Sequence, residues 1–181
     1  RVNAVHTALP ELTLRLDADQ GYGARQALAV ARALAGKIEM LEQPTPANDL
    51  AMLREVRELS RVPVLASQSV LGPESALEIA SQRAAHGMSI KLSTCGGIAR
   101  GRQIDAIARA ARMASMVGCL NEPALLIAAG LAFALSSPNV AYGDLDGHFD
   151  LIDDPTVAGF RFEEGWLVAT DTPGLGCRVE L

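Results

Sequence analysis

Aromatic residues are scarce, with one Trp, two Tyr and four Phe among 181 residues. About half of the chain is nevertheless hydrophobic, at 49%, and Ala and Leu dominate. That supply suits helices packed on a buried sheet better than a β-sandwich. Cysteine is also sparse: Cys95, Cys119 and Cys177 lie far apart, with no CxxC pair. That argues against a zinc site, and reduced, mostly buried thiols in a cytoplasmic protein are expected. His6, His86 and His148 fit no motif and are expected at the surface. No apolar run reaches the ~20 residues of a membrane span. The stretch from Arg1 to Pro10 lacks the apolar core of a signal peptide. The net charge is −5, with both signs scattered and no basic stripe, which argues against nucleic acid as a partner.

What remains is a regular alternation. Strand-like runs at Thr13–Asp17, Ile38–Leu41, Val62–Ala66, Met88–Leu92, Met116–Leu120 and Val140–Gly143 are separated by helical patterns. The patterns cover Arg25–Ala35, Asp49–Leu59, Pro73–Ala84, Gly97–Ala114 and Pro123–Leu135. Asn48 is placed to cap the second of these helices, and Pro73 opens the third at its first turn. A repeated βα unit with strands apolar on both faces predicts an α/β fold with a parallel sheet. The tail differs: Phe160–Phe162, Trp166–Val168 and Cys177–Val179 predict small antiparallel strands around Gly and Pro turns.

An open doubly wound sheet and a (β/α) barrel of the TIM type both fit the alternation. No Gly-rich phosphate fingerprint follows the first strand, and Gly21-Tyr22-Gly23 is too short to count as one. Polar residues recur at the C-terminal ends of successive strands, where barrel enzymes place their active sites. They are Asp17 and Asp19, Glu42, Ser67 and Gln68, Lys91, Glu122, Asp144 and Asp146. Asp17, Glu42 and Ser67 follow one another at intervals of 25 residues, which sets them side by side on one rim. Carboxylates on neighbouring strands can share a hard cation such as Mg²⁺. A lysine facing that cation has its pKa lowered and can serve as a general base.

Each residue alone has an ordinary explanation. A strand-end acid such as Asp17 or Glu42 is often a solvated loop residue or a helix cap. A lone lysine usually snorkels to the surface. Glu122 can be a first-turn acid on the helix beginning at Pro123. Order, spacing and a common rim lift the group above these separate explanations.

The motifs resemble those of the enolase superfamily, in its muconate-lactonizing and dipeptide-epimerase branch. Leu16-Asp17-Ala18-Asp19-Gln20-Gly21 resembles the segment of the first metal carboxylate, with Asp19 where Asn is usual. Leu41-Glu42-Gln43-Pro44 is similar to the segment of the second. The run Lys91-Leu92-Ser93-Thr94-Cys95-Gly96-Gly97-Ile98 resembles the motif of a catalytic acid/base lysine. Gly118-Cys119-Leu120-Asn121-Glu122 is similar to the strand-seven motif. Tyr142-Gly143-Asp144-Leu145-Asp146-Gly147 resembles the strand-eight motif of dipeptide epimerases, whose aspartates hold the substrate's ammonium group. Pro173-Gly174-Leu175-Gly176 is similar to the family's closing segment. The six motifs occur in order along nearly the whole chain.

The resemblance implies barrel strands three to eight over residues 1–150. It implies a C-terminal β segment over 151–181 that packs on a capping domain. It implies Lys91 as acid/base, Asp144, Asp146 and Glu122 as substrate-binding residues, and Asp17 and Glu42 as Mg²⁺ ligands. In the family, the metal stabilises an enolate formed by removing a proton α to a carboxylate.

Two departures stand out. The family places Asp-Glu-Ser where this chain has Ser67-Gln68-Ser69, so a hydroxyl replaces the third metal carboxylate and Mg²⁺ affinity is expected to fall. The capping domain, the first two strands and a partner lysine have no counterpart, and six strands do not close an eight-stranded barrel. A complementing N-terminal segment or a homo-oligomer is therefore expected. The functions in view are racemisation or epimerisation of an amino acid or dipeptide, ligand binding by a non-catalytic descendant, and lactonisation or acid-sugar dehydration.

Overall fold

The computed structural model describes residues 1–180. Six parallel strands form one sheet in sequence order. They are β1 (Leu14–Asp17), β2 (Ile38–Glu42), β3 (Val64–Ala66), β4 (Gly87–Lys91), β5 (Ala114–Gly118) and β6 (Val140–Gly143). A helix α1 (Val2–Ala8), which no sequence signal announced, precedes them. The crossovers hold α2 (Ala24–Leu34), α3 (Leu50–Leu59), α4 (Pro73–Gln82), the single turn α5 (Leu92–Cys95), α6 (Ile98–Ala110) and α7 (Ala124–Ser136). Every strand neighbours the next in sequence, as in a TIM barrel, but the sheet stays open.

The sheet is curled. Arg15 on β1 donates to the Gly143 carbonyl on β6 at 3.1 Å, although these are the two edge strands. Its guanidinium also pairs with Glu39 at 2.8 Å and sits 5.0 Å from the centre of the Tyr142 ring. The concave face is lined by Met40, Leu65 and Met116, with Tyr142 beside them. The convex face meets the helices, where Leu53, Val56, Ile79, Ile90 and Ile104 are fully buried. Truncating one of these to Ala would cost ~2–5 kcal/mol. A register shift at Leu14/Arg15 lets Ile38 and Leu41 share the helix-facing layer with Ala31 and Leu34 while Met40 faces inward.

Helix α7 is apolar nearly all round because it is covered on two sides. Ala129 and Phe133 pack toward the sheet, while Ala124, Ile127 and Ala128 meet Phe160 from the tail. Its N-terminus is closed by Asp154, whose carboxylate accepts the Ala124 N–H at 2.7 Å. In the tail, β8 (Phe160–Glu163) pairs with β9 (Trp166–Ala169), and β7 (Thr156–Val157) pairs with β10 (Arg178–Val179), both antiparallel. The expected C-terminal segment runs to Leu181, which lies outside the described residues. Among the described residues no helix is long and apolar enough to cross a membrane.

Local details correct the sequence reading. The cap of α3 is Asp49, which accepts the Met52 N–H at 2.9 Å, and not Asn48. Helix α6 stops at Ala110, and Arg112 turns at φ +58°, so β5 begins two residues earlier than expected. Leu92 opens α5 instead of ending β4, and Gly96 closes that turn at φ +94°, which a side chain would resist. His148 is half-buried, 5.2 Å from the Phe160 ring centre, and His86 accepts a backbone hydrogen bond from Val64. His148 is thus partly covered, whereas His86 is exposed, as expected.

Candidate functional site

The rim is set by strand register. Asp17 and Glu42 are direct partners at the ends of β1 and β2. Ser67 follows β3 by one residue, and Lys91 ends β4 opposite Gly118 of β5. Asp144 continues β6, its N–H donating to Val117 O at 2.9 Å. The structure thus brings Asp17, Glu42, Ser67, Lys91 and Asp144 to one end of the sheet. Asp146 stands at the start of the next turn and accepts a long contact from Cys119 Sγ at 3.8 Å.

Glu122 lies apart from an open rim position. It is buried, accepts from Ser93 Oγ, and takes the Leu120 N–H at 3.0 Å. It ties the loop after β5 to α5. Asp154, not Glu122, closes the helix that follows.

Lys91 owes its path to a missing side chain. A Cβ on Gly118 would stand 3.3 Å from Lys91 Cε and 2.8 Å from Ser89 Oγ. The lysine stem therefore lies across Gly118. Among the described residues Lys91 enters no ion pair.

Gln43, passed over in the sequence, organises the loop after β3. It is fully buried, and its Oε1 accepts the N–H groups of Ser67 at 2.8 Å and Ser69 at 3.2 Å. Its Nε2 donates to Thr45 O at 2.9 Å. The residue sat inside the Glu42 motif, but nothing in sequence distinguishes a buried clamp from a solvated glutamine.

Acids outnumber bases at the rim. Burial pushes the Glu42 carboxyl above its ordinary value; the Ser67 hydroxyl beside it and Lys91 oppose the rise, while Asp17 and Asp144 add to it. Asp144 is raised by burial first, then by Asp146 and Asp17, against Lys91 and Arg15. Mutual repulsion of this kind favours a cation among the carboxylates.

Magnesium fits the residues present poorly. A hard dication takes several oxygen ligands, and charge count tunes its affinity. Asp17 and Glu42 offer two carboxylates, and one oxygen of Asp17 already accepts the Asp19 N–H at 2.8 Å. The third position is Ser67, whose buried hydroxyl beside Glu42 offers one neutral oxygen. Among the described residues no group of three His, Cys, Asp or Glu side chains is placed to hold a metal ion.

Comparison with known proteins agrees with this geometry. A family profile described as enolase C-terminal domain-like matches residues 1–180. The L-Lys-D/L-Arg epimerase of Methylococcus capsulatus is 40% identical over 179 residues, 97% of this chain and 50% of that protein. A dipeptide epimerase from the same organism, solved with Mg and the dipeptide L-Arg-D-Lys, superposes with a TM-score of 0.90 at 37% identity. That match covers 97% of this chain and 51% of the other. The substrate-liganded L-Ala-D/L-Glu epimerase of Bacillus subtilis gives a TM-score of 0.93 at 33% identity, covering 97% and 50%. The chain spans about half the length of the curated relatives it matches. Shared motifs, a half-barrel in the expected strand order and these matches place the chain in the enolase superfamily, in its mandelate-racemase and muconate-lactonizing branch beside the dipeptide epimerases.

Proposed function

We propose that this chain is the barrel half of an epimerase-type protein with weakened metal binding, and that its rim holds a zwitterionic amino acid or dipeptide. The observation that carries this reading is Ser67. It is 4% exposed, and its neutral hydroxyl stands beside Glu42 where the resemblance calls for a carboxylate. Asp144 and Asp146 supply the acidic pair for an ammonium group, and Asp17 and Glu42 the residual cation site. Glu122 supports the substrate side by fixing the loop after β5. The dipeptide substrates named for the relatives support this chemical class.

A second reading is favoured by Lys91. Its stem is held over Gly118 at the rim, where its amine can take a proton from the carbon α to a carboxylate, as racemases and epimerases require. Incubating the full protein with L-Ala-L-Glu in D₂O separates the two. Binding without α-carbon exchange supports the first. Exchange that disappears in Lys91→Ala supports the second, and absence of both binding and exchange overturns each. The unpaired outer edges of β1 and β6 support a complementing segment or a second copy. Three free thiols support a reducing compartment such as the cytoplasm.

A further inference from the structure

The face opposite the rim has a cavity of about 560 Å³. It opens where α3 ends and where the chain enters β4 and β5. Its polar lining is Arg57, Arg83, Arg112 and His86, set among alanines and Met113. No acid lines it, although the chain as a whole carries a net charge of −5.

Basic residues at helix ends commonly neutralise the C-terminal dipole. Arg57 lies in the last turn of α3, Arg83 caps α4 at φ +51°, and Arg112 follows α6. That role leaves their donors unused. Among the described residues, none of the three enters an ion pair. Arg57 Nε is buried with no acceptor at all. His86 adds a donor. Its Nδ1 accepts the Val64 N–H at 3.1 Å, so the neutral ring carries its proton on Nε2. Burial, and then Arg57, lower its pKa and keep it neutral. The cavity therefore presents donors from four side chains without an ion-pair partner among the described residues.

We infer that this cavity binds a phosphate-type oxyanion borne by a small phosphorylated molecule. Guanidinium groups match phosphate oxygens in paired hydrogen bonds, and three of them converge here with no acid among them. The volume falls within the roughly 300–1,000 Å³ of small-molecule sites, so there is room for more than the phosphate. The site is separate from the rim and stands whether or not the reading of the rim holds.

The test is calorimetry of the full protein with inorganic phosphate and with pyrophosphate at constant ionic strength, while the His86 ring signals are followed by NMR. Saturable binding, tighter for pyrophosphate and accompanied by movement of the His86 signals, is expected. Arg57→Gln should weaken it about tenfold or more. Arg112→Gln, on an exposed turn, should weaken it without disturbing α3, which keeps the test decisive if the first variant folds poorly. Asp144→Asn should leave it unchanged. No saturation, equal affinity in the arginine variants, or tighter binding of citrate than of pyrophosphate overturns the inference.

Discussion

Gln68 Nε2 donates to Asp19 Oδ1 at 2.6 Å. These are two of the residues that depart from the family pattern, and they hold each other. Where the resemblance calls for Asn and Glu, this chain has Asp and Gln, so acid and amide have changed places. The exchange keeps one negative charge in the pair. The net loss of charge at the rim is therefore the single carboxylate replaced by Ser67.

The pair should behave as one unit in a double-mutant cycle. Gln68→Glu alone sets two carboxylates against each other and should lower stability. Adding Asp19→Asn should recover it, with a coupling energy on the order of 1 kcal/mol. Urea midpoints of the four proteins read the cycle; additive effects would show that the hydrogen bond contributes nothing.

Ser67→Asp should restore metal binding. A third carboxylate joins Asp17 and Glu42, and Mg²⁺ affinity should rise about tenfold or more by calorimetry. Tight Mg²⁺ binding by the unaltered protein would contradict the account of the rim given above.

Gly118→Ala should displace Lys91. The added Cβ meets Ser89 Oγ at 2.8 Å and the lysine stem at 3.3 Å. Overpacking of this kind costs about 1–3 kcal/mol. Combining it with Ser89→Ala should recover part of that loss, as read from thermal or urea unfolding.

Acid should weaken the fold through Asp105. This buried carboxylate accepts hydrogen bonds from Ser115 at 2.8 Å, Ser137 at 2.7 Å and Asn139 at 3.1 Å. Burial raises its pKa, but the three bonds outweigh burial and leave it below the ordinary value. The folded pKa is therefore depressed. Its stabilisation is present above the unfolded value of about 3.9 and is lost as pH falls through the folded one. Unfolding free energy should drop more steeply below about pH 5 in the unaltered protein than in Asp105→Asn. Equal slopes would remove Asp105 as the cause.

Much of this molecule could be read along the chain. The βα alternation placed all six sheet strands, because strands covered on both faces must be apolar and the loops between them are short. Asp17, Glu42 and Ser67 were legible because they stand at or just past strand ends 25 residues apart. What escaped depends on contacts between distant segments. Gln43 looks like any polar residue until its oxygen is seen between Ser67 and Ser69. The Asp154 cap of α7 lies 30 residues from Ala124, whose N–H it accepts. The basic cavity gathers Arg57, Arg83 and Arg112 from three separate helix ends, and no local pattern records that convergence.

Gln43 grips the backbone N–H of Ser67 and makes no use of the Ser67 hydroxyl. The course of the loop is therefore held through the main chain rather than through the Ser67 side chain. Such a site can discard a ligand and later recover it by one substitution, with no search for a new backbone path. A scaffold that fixes the main chain and frees the side chain lets chemistry drift while geometry stays inherited.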